Sequence, residues 1–218
     1  MISIAIDGPS GSGKSTISKE VAQKLGFLHI DTGALYRTIA YYVFENQTPL
    51  DKVPEVLNKI NINLKFQDNR QIVFLNGKDV SEKIRTPEIS SLASKVSKSE
   101  EVRRFLLKTQ RDLAKENNVI MDGRDIGTTI LPNADVKIFL TASSETRAKR
   151  RYLQLLESGV KCEYSEILKN VIERDNQDIN RKISPLKKAD DAILLDTSNL
   201  TFSESIDKII EIIKSNLK

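Results

Sequence analysis

Gly8-Pro9-Ser10-Gly11-Ser12-Gly13-Lys14-Ser15-Thr16 decides how the chain is read. It follows Ile2-Ser3-Ile4-Ala5-Ile6, a short β-branched run closed by Asp7 and Gly8. It precedes Ile17, Val21 and Leu25, apolar residues four apart, with Gly26 ending the run. The first run reads as a buried strand and the second as one face of a helix. Between them the spacing G-x-x-x-x-G-K-[ST] predicts a loop whose amides curl around phosphate oxygens. Its glycines permit positive φ, and the positive end of the helix dipole points at the same spot. Lys14 then reaches the terminal phosphates, and the Ser15 hydroxyl ligates Mg²⁺, partly through water. Four fixed positions arise by chance on the order of once per hundred chains of this length. ATP or GTP binding is the expectation.

Outward from this loop, short apolar runs alternate with helical patterns. Phe27–Ile30, Val119–Met121, Val136–Leu140 and Ala192–Leu195 read as strands, and a helical stretch runs from about Asp31 to Phe44. Such alternation predicts an α/β fold: a parallel sheet core flanked by helices on both faces. One region breaks it. Ile62-Asn63-Leu64-Lys65-Phe66 alternates apolar and polar residues, and Ile72-Val73-Phe74-Leu75 is followed by Asn76-Gly77, a two-residue hairpin signal. Residues 60–85 are therefore expected to form a small antiparallel β insertion. Thr201 and Glu204 fit a capping box opening a last helix, whose Ile206, Ile209, Ile210 and Ile213 form an apolar stripe.

Composition bounds the rest. At about 150 residues per domain, 218 residues fit one domain with an inserted piece. Hydrophobic residues at 39% and charged residues at 29% exclude global disorder. Cys162 and His29 are the only residues of their kinds, which excludes a disulfide framework, a Cys-rich zinc site and a multi-histidine metal site. His29 is expected to be a core or strand-end residue, and Tyr36, Tyr41 and Tyr42 to pack. No run is apolar enough to span a membrane, and the start lacks a secretory pattern, so the cytoplasm is the default. The net charge of +4 is uneven: Arg147 to Lys188 holds eleven basic and six acidic residues, leaving −1 elsewhere. An anionic small molecule, a nucleic acid or a solvated helical face would each account for that.

The chain resembles the nucleoside monophosphate kinases, most closely the bacterial cytidylate kinases. The resemblance lies in Ile6 to Lys14, Asp31-Thr32-Gly33-Ala34-Leu35-Tyr36-Arg37 and Asp122-Gly123-Arg124-Asp125-Ile126-Gly127-Thr128. It continues through Lys137-Ile138-Phe139-Leu140, Arg147, Arg150 and Arg151, Glu173-Arg174-Asp175, Asp178, Arg181 and Pro185-Leu186. It implies a single P-loop kinase domain over 1–218. The core would be about 1–45, 115–146 and 188–218, the acceptor-binding region about 46–114, and a helical lid about 147–187. It further implies ATP as donor, CMP and dCMP as acceptors and Mg²⁺ as cofactor. Gly8, Pro9, Ser10, Gly11, Ser12, Gly13, Lys14, Ser15 and Thr16 would bind ATP, with Arg147 and Arg151. Thr32, Arg37 and Arg124 would hold the acceptor phosphate. Ser94, Arg103 and Asp125 would read the base. Arg174 and Asp178 would hold the sugar, and Arg181 would approach the phosphates. Lys14, Arg124, Arg150, Arg151 and Arg181 would be catalytic.

These roles have a physical basis. Arg174, Asp178 and Arg181 share one helical face, as do Arg147, Arg150 and Arg151. Beside a phosphate cradle, such arginines suit transferred phosphoryl oxygens, although a surface salt bridge is the alternative for each. A carboxylate facing position 4 of a pyrimidine accepts from the cytosine amino group and repels the uracil carbonyl. Two rivals stay open. One is a P-loop kinase for another small acceptor such as UMP, AMP or a non-nucleotide alcohol. The other is a nucleotide-gated RNA-binding protein, disfavoured because no aromatic platform accompanies the basic segment. No nucleic-acid or membrane partner is expected, and the lack of long heptads favours a monomer.

Overall fold

The structure is a computed structural model that describes residues 1–67 and 70–217. In chain order, β1 (Ser3–Asp7) leads through the Gly8–Gly13 loop into α1 (Lys14–Leu25), then β2 (Leu28–Asp31) and α2 (Thr32–Glu45). A short α3 (Val53–Val56) precedes β3 (Ile62–Gln67), β4 (Arg70–Leu75) and β5 (Lys78–Asp79). Next come α4 (Pro87–Val96), α5 (Glu100–Glu116), β6 (Val119–Gly123), a π-helical turn over Ile126–Ile130, and β7 (Val136–Thr141). The chain closes with α6 (Ser144–Glu157), α7 (Tyr164–Asn180), β8 (Ile193–Asp196) and α8 (Phe202–Asn216).

β1, β2, β6, β7 and β8 form a parallel five-stranded sheet in the order β2-β6-β1-β7-β8. β1, β6 and β7 are buried almost throughout, as their continuous apolar runs require. Ile17 and Val21 of α1 and Ile206, Ile209 and Ile213 of α8 cover one face, packing on Ile4, Ile6, Ile138 and Leu140. Ala114 of α5 and Ile126 and Ile130 of the π-helical turn pack with Ala5, Ile30 and Met121 in a second cluster. The Thr201–Glu204 capping box is present.

The insertion is a separate three-stranded antiparallel sheet, β3-β4-β5. Asn76 and Gly77 both have positive φ (50° and 81°), as the tight β4–β5 turn demands. Val73 and Leu75 of this sheet share a core with Leu35 and Ile39 of α2 and Ile89 and Ala93 of α4.

Register determines what reaches the rim of the large sheet. Asp7 pairs across with Gly123, and Asp31 with Asp122, so the carboxyl ends of β1, β2 and β6 end level. The loops leaving these three strands therefore open onto one edge, where open parallel sheets bind ligands. Gly8 leaves β1 at φ 153°, against β7, and a Cβ there would overlap the carbonyl oxygen of Leu140. Only glycine lets the loop start that close to the neighbouring strand. No helix among the described residues is long and apolar enough to cross a membrane.

Candidate active site

The rim holds a cavity of about 330 Å³. Ser10, Gly11, Gly13, Lys14, Ser15 and Thr16 form one part of its wall. Thr32, Arg37, Ser94, Arg103, Arg124, Asp125, Arg174, Asp178 and Arg181 line it as well. Segments more than a hundred residues apart in sequence thus meet. Gly8, Pro9, Ser12, Arg147, Arg150 and Arg151 are not among the lining residues.

At the loop, Gly11 and Gly13 have φ of 75° and 87°, and α1 begins at Lys14. The Lys14 ammonium donates to the Pro9 carbonyl at 2.6 Å and to Ser12 Oγ at 3.2 Å, folding back over the loop. Burial, and then the nearby Arg124 cation, hold its pKa well below the ordinary lysine value. An arriving phosphate anion would relieve both penalties.

Elsewhere on the wall, arginine–aspartate pairs dominate. Arg37 Nη2 donates to Asp31 Oδ2 at 2.8 Å, and Asp31 also caps α2 by accepting from the Ala34 amide. Burial, the largest single influence, would raise Asp31, but Arg37 together with His29 and the Ala34 amide outweighs it and the net shift is downward. Gly33 leaves room for this fold-back, since a Cβ there would lie 3.1 Å from Arg37 Nη1. Arg124 Nε donates to Asp178 Oδ2 at 2.9 Å, a partner 54 residues along the chain. Burial is again the largest single influence on Asp178, but Arg124, with Arg174 and Arg181, outweighs it and lowers the pKa. Asp125 accepts from Arg103 Nη2 on one oxygen and lies 3.5 Å from Arg181 Nη2 through the other. Arg103 is tethered a second time, to the Ser97 carbonyl at 3.2 Å, and its guanidinium lies 5.4 Å from the Tyr36 ring centroid. Arg174 is in none of these pairs. Its Nε, with Arg37 Nε and Arg181 Nη2, is buried with no hydrogen-bond partner among the described residues. Six cationic side chains (Lys14, Arg37, Arg103, Arg124, Arg174, Arg181) face four carboxylates (Asp31, Asp122, Asp125, Asp178) on this wall, so the cavity favours anions.

Several members were not anticipated. Asp31 and Asp122 line the cavity, together with Tyr36, Ser90 and Ser97. Tyr36, expected only to pack, faces it, and burial pushes its pKa up to about 12. Asp7 lies behind the wall, accepting from the amides of Ile126 and Gly127, both at 2.8 Å, and so anchors the turn that follows Asp125. Asp122 Oδ1 accepts from Ser15 Oγ at 2.9 Å, and its Oδ2 pairs with His29 Nε2 at 2.7 Å. His29 is thus partnered to a cavity carboxylate rather than simply packed. A signal existed for Asp7, Asp31 and Asp122: each directly follows the last apolar residue of a strand run.

The arginines of α6 part company. Arg147 is 4% exposed and binds the Ala142 carbonyl (2.8 Å), the Ser10 carbonyl (2.9 Å) and Asp175 through both terminal nitrogens (3.0 and 2.5 Å). Arg150 donates to the Thr197 carbonyl beyond β8 at 2.8 Å, whereas Arg151 is exposed and bonds Gln154. The shared face of this helix therefore does not become a shared destination.

Sheet order and phosphate-binding loop, with a cavity rich in cationic side chains beside it, define a P-loop nucleotide-binding fold. The family model for cytidylate kinases matches residues 4–215, and the chain belongs to the cytidylate kinase family. A protein of Caldicellulosiruptor bescii called cytidylate kinase is 52% identical over 97% of this chain and 95% of its own. Cytidylate kinases of Thermosipho melanesiensis and Bacillus cereus are 48% and 47% identical, over 99% and 97% of this chain and 98% and 96% of theirs. The fold is also similar to that of an uncharacterized Eubacterium ventriosum protein, with a TM-score of 0.56 at 16% identity over 99% of both chains.

Proposed function

We propose that the protein transfers the terminal phosphoryl group of ATP to CMP and dCMP, giving ADP with CDP or dCDP. The observation that carries the reading is Asp125, held between Arg103 and Arg181 on the wall of the cavity that Lys14 and the glycine loop share. A fixed carboxylate flanked by guanidinium groups offers the cytosine amino group an acceptor and its O2 carbonyl or N3 ring nitrogen a donor. Relatives called cytidylate kinases, aligned over nearly the whole chain, support the same choice.

In this reading Gly8–Thr16 cradle the ATP phosphates. Thr32, Arg37 and Arg124 hold the acceptor phosphate, Ser94 joins Arg103 and Asp125 at the base, and Arg174 and Asp178 hold the sugar. Arg174 has the character the task needs, a guanidinium with a buried nitrogen not yet bonded. An oxygen of the acceptor phosphate, already ionised near neutral pH, attacks the γ-phosphorus, and the bond to the bridging oxygen breaks as ADP leaves. No general base is required; the chain contributes alignment and positive charge. The residues present fit Mg²⁺: the Ser15 hydroxyl and Asp122 carboxylate are adjacent hard oxygen groups on the cavity wall. When bound, the ion neutralises charge on the phosphoryl oxygens. Lys14, Arg124 and Arg181 add their charge from the cavity wall. Arg150 and Arg151 reach the donor only if residues 147–187 close as a lid, which also excludes water. The protein acts in the cytoplasm as a monomer.

Against the RNA-binding alternative, Arg147, Arg174 and Arg181 of the basic segment turn toward the loop or into the cavity, although Lys149, Arg151, Lys161, Lys169, Lys182 and Lys187 stay exposed. A coupled ADP assay with CMP, dCMP, UMP, AMP and no acceptor tests the reading. CMP and dCMP should give the highest kcat/KM, and ATP hydrolysis without acceptor should be far slower. Preference for UMP or AMP, or hydrolysis indifferent to CMP, would overturn it.

A further inference from the structure

We infer that His29, the only histidine of the chain, is a positioning residue for metal–nucleotide binding, acting through Asp122 on the Ser15 hydroxyl. The inference rests on the ATP and Mg²⁺ reading of the site given above. His29 does not line the substrate cavity but a separate one of about 160 Å³, beside Lys19, Gln23, Phe27 and Phe66. It therefore touches neither nucleotide nor metal directly.

The chain of bonds is short and buried. The side chains of His29 and Asp122 are 12% and 4% exposed. An ionised carboxylate only accepts, so the imidazole at 2.7 Å from Oδ2 places its proton on Nε2. The other oxygen, Oδ1, takes the single proton of Ser15 Oγ at 2.9 Å. A hydroxyl has one proton and two lone pairs. With the proton committed to Asp122, the lone pairs of Ser15 are left for a cation in the cavity. Were Asp122 free to rotate, Ser15 would lose that constraint. The backbone alone does not prevent rotation. β6 fixes the Cα of Asp122 opposite Asp31 of β2, two residues along from His29, whereas the carboxylate is set by its hydrogen bonds. The side chain on β2 thus sets the rotamer of the side chain on β6, which orients the hydroxyl at the start of α1. Such outer partners of a metal site typically govern affinity by roughly 10- to 100-fold.

The test uses the full chain with His29→Leu, His29→Asn and His29→Gln. Leucine removes the donor. Asparagine keeps a polar amide but is too short to reach Oδ2, and serves if the leucine variant does not fold. Glutamine carries an N–H at the position of Nε2. Titration calorimetry of ATP at graded free Mg²⁺ gives the Mg²⁺ concentration for half-maximal enhancement of ATP binding, with no turnover involved. The leucine and asparagine variants should need about 10-fold more Mg²⁺, and glutamine should restore most of the loss. KM for CMP should stay within about twofold, because the acceptor side is untouched; this is the split that general loosening of the fold would not give. A Mg²⁺ dependence unchanged in His29→Leu or His29→Asn overturns the inference. So does equal impairment in His29→Gln and His29→Leu. If the unsubstituted protein itself binds ATP without regard to Mg²⁺, the metal reading of the site fails first, and the inference falls with it.

Discussion

Replacing Asp125 by asparagine removes one charge and almost no volume, and the structure sets two separate consequences. Asp125 is 4% exposed and Arg103 is 8% exposed. Arg103 donates to one carboxylate oxygen, and Arg181 lies 3.5 Å from the other. A carboxamide has a single oxygen, so one guanidinium must face an NH₂ group, and two desolvated cations lose their shared counter-charge. Breaking a buried pair in this way costs about 3–5 kcal/mol. For a chain of this size Tm moves roughly 2–4 °C per kcal/mol, so the melting point should fall by roughly 6–20 °C. Losing a charge-assisted hydrogen bond to the cytosine amino group costs a further 1.5–3 kcal/mol or so in the transition state, about 10- to 150-fold in kcat/KM for CMP. UMP should suffer less, because the amide NH₂ can donate to the uracil carbonyl, so the CMP/UMP ratio falls. Circular-dichroism melts and the coupled assay, run below the lower Tm, read the two effects independently. A melting point within 2 °C of the parent would refute the buried-charge reasoning. A lowered Tm with an unchanged CMP/UMP ratio would leave Asp125 a structural counter-ion and refute the base assignment.

Two further outcomes follow from the same geometry. Lys14→Ala should lower kcat by two to three orders of magnitude, roughly the value of one preorganised charge donor at transferred oxygens. Its two lost hydrogen bonds, about 1 kcal/mol each, are offset by removal of a desolvated ammonium, so thermal melting should show Tm within about 3 °C of the parent. Asp7→Asn should show an inverted pH effect. Burial raises the Asp7 carboxyl from 3.8 to about 6 in the fold, despite two amide donors. The native state therefore holds a proton that the unfolded chain releases, and this contribution to stability is full below the unfolded value and lost as pH rises through the folded one. The full difference is about 3 kcal/mol. Because pH 4 lies just above the unfolded value, about 2.4 kcal/mol of this separates pH 4 from pH 7, so melting curves there should show Asp7→Asn gaining on the parent by roughly 5–10 °C; a constant gap would contradict the assignment.

The cradle and the strand–helix alternation were legible because they depend on local spacing: four fixed positions, apolar runs of strand length, a capping box. The Asn76-Gly77 turn was legible for the same reason. What escaped were groups whose meaning comes from register. Asp7, Asp31 and Asp122 each close an apolar run, but only parallel pairing of β1, β6 and β2 brings them to one rim. His29 escaped because its partner lies 93 positions away. The α6 arginines show the opposite failure. Helical spacing rightly placed Arg147, Arg150 and Arg151 on one face, yet long side chains one turn apart reach different neighbours, the Ser10 carbonyl and the Thr197 carbonyl. Periodicity gives direction from the axis, not the identity of what is met.

Gly8 and Arg147 are linked by more than proximity to the phosphate loop. The loop rests its first residue on Leu140 of β7, and Arg147, one turn into the helix after β7, grips the Ser10 carbonyl. One strut thus bears on the cradle at both ends of its first bend. At 1.5 Å per residue, the 14 residues of α6 form a beam about 20 Å long whose grip lies near one end. A tilt of the outer end would act on the loop through a short lever arm and reach Ser10 geared down. The curvature of the loop is in this way joined, through one guanidinium, to the placement of α6 and of α7, whose Asp175 the same side chain binds.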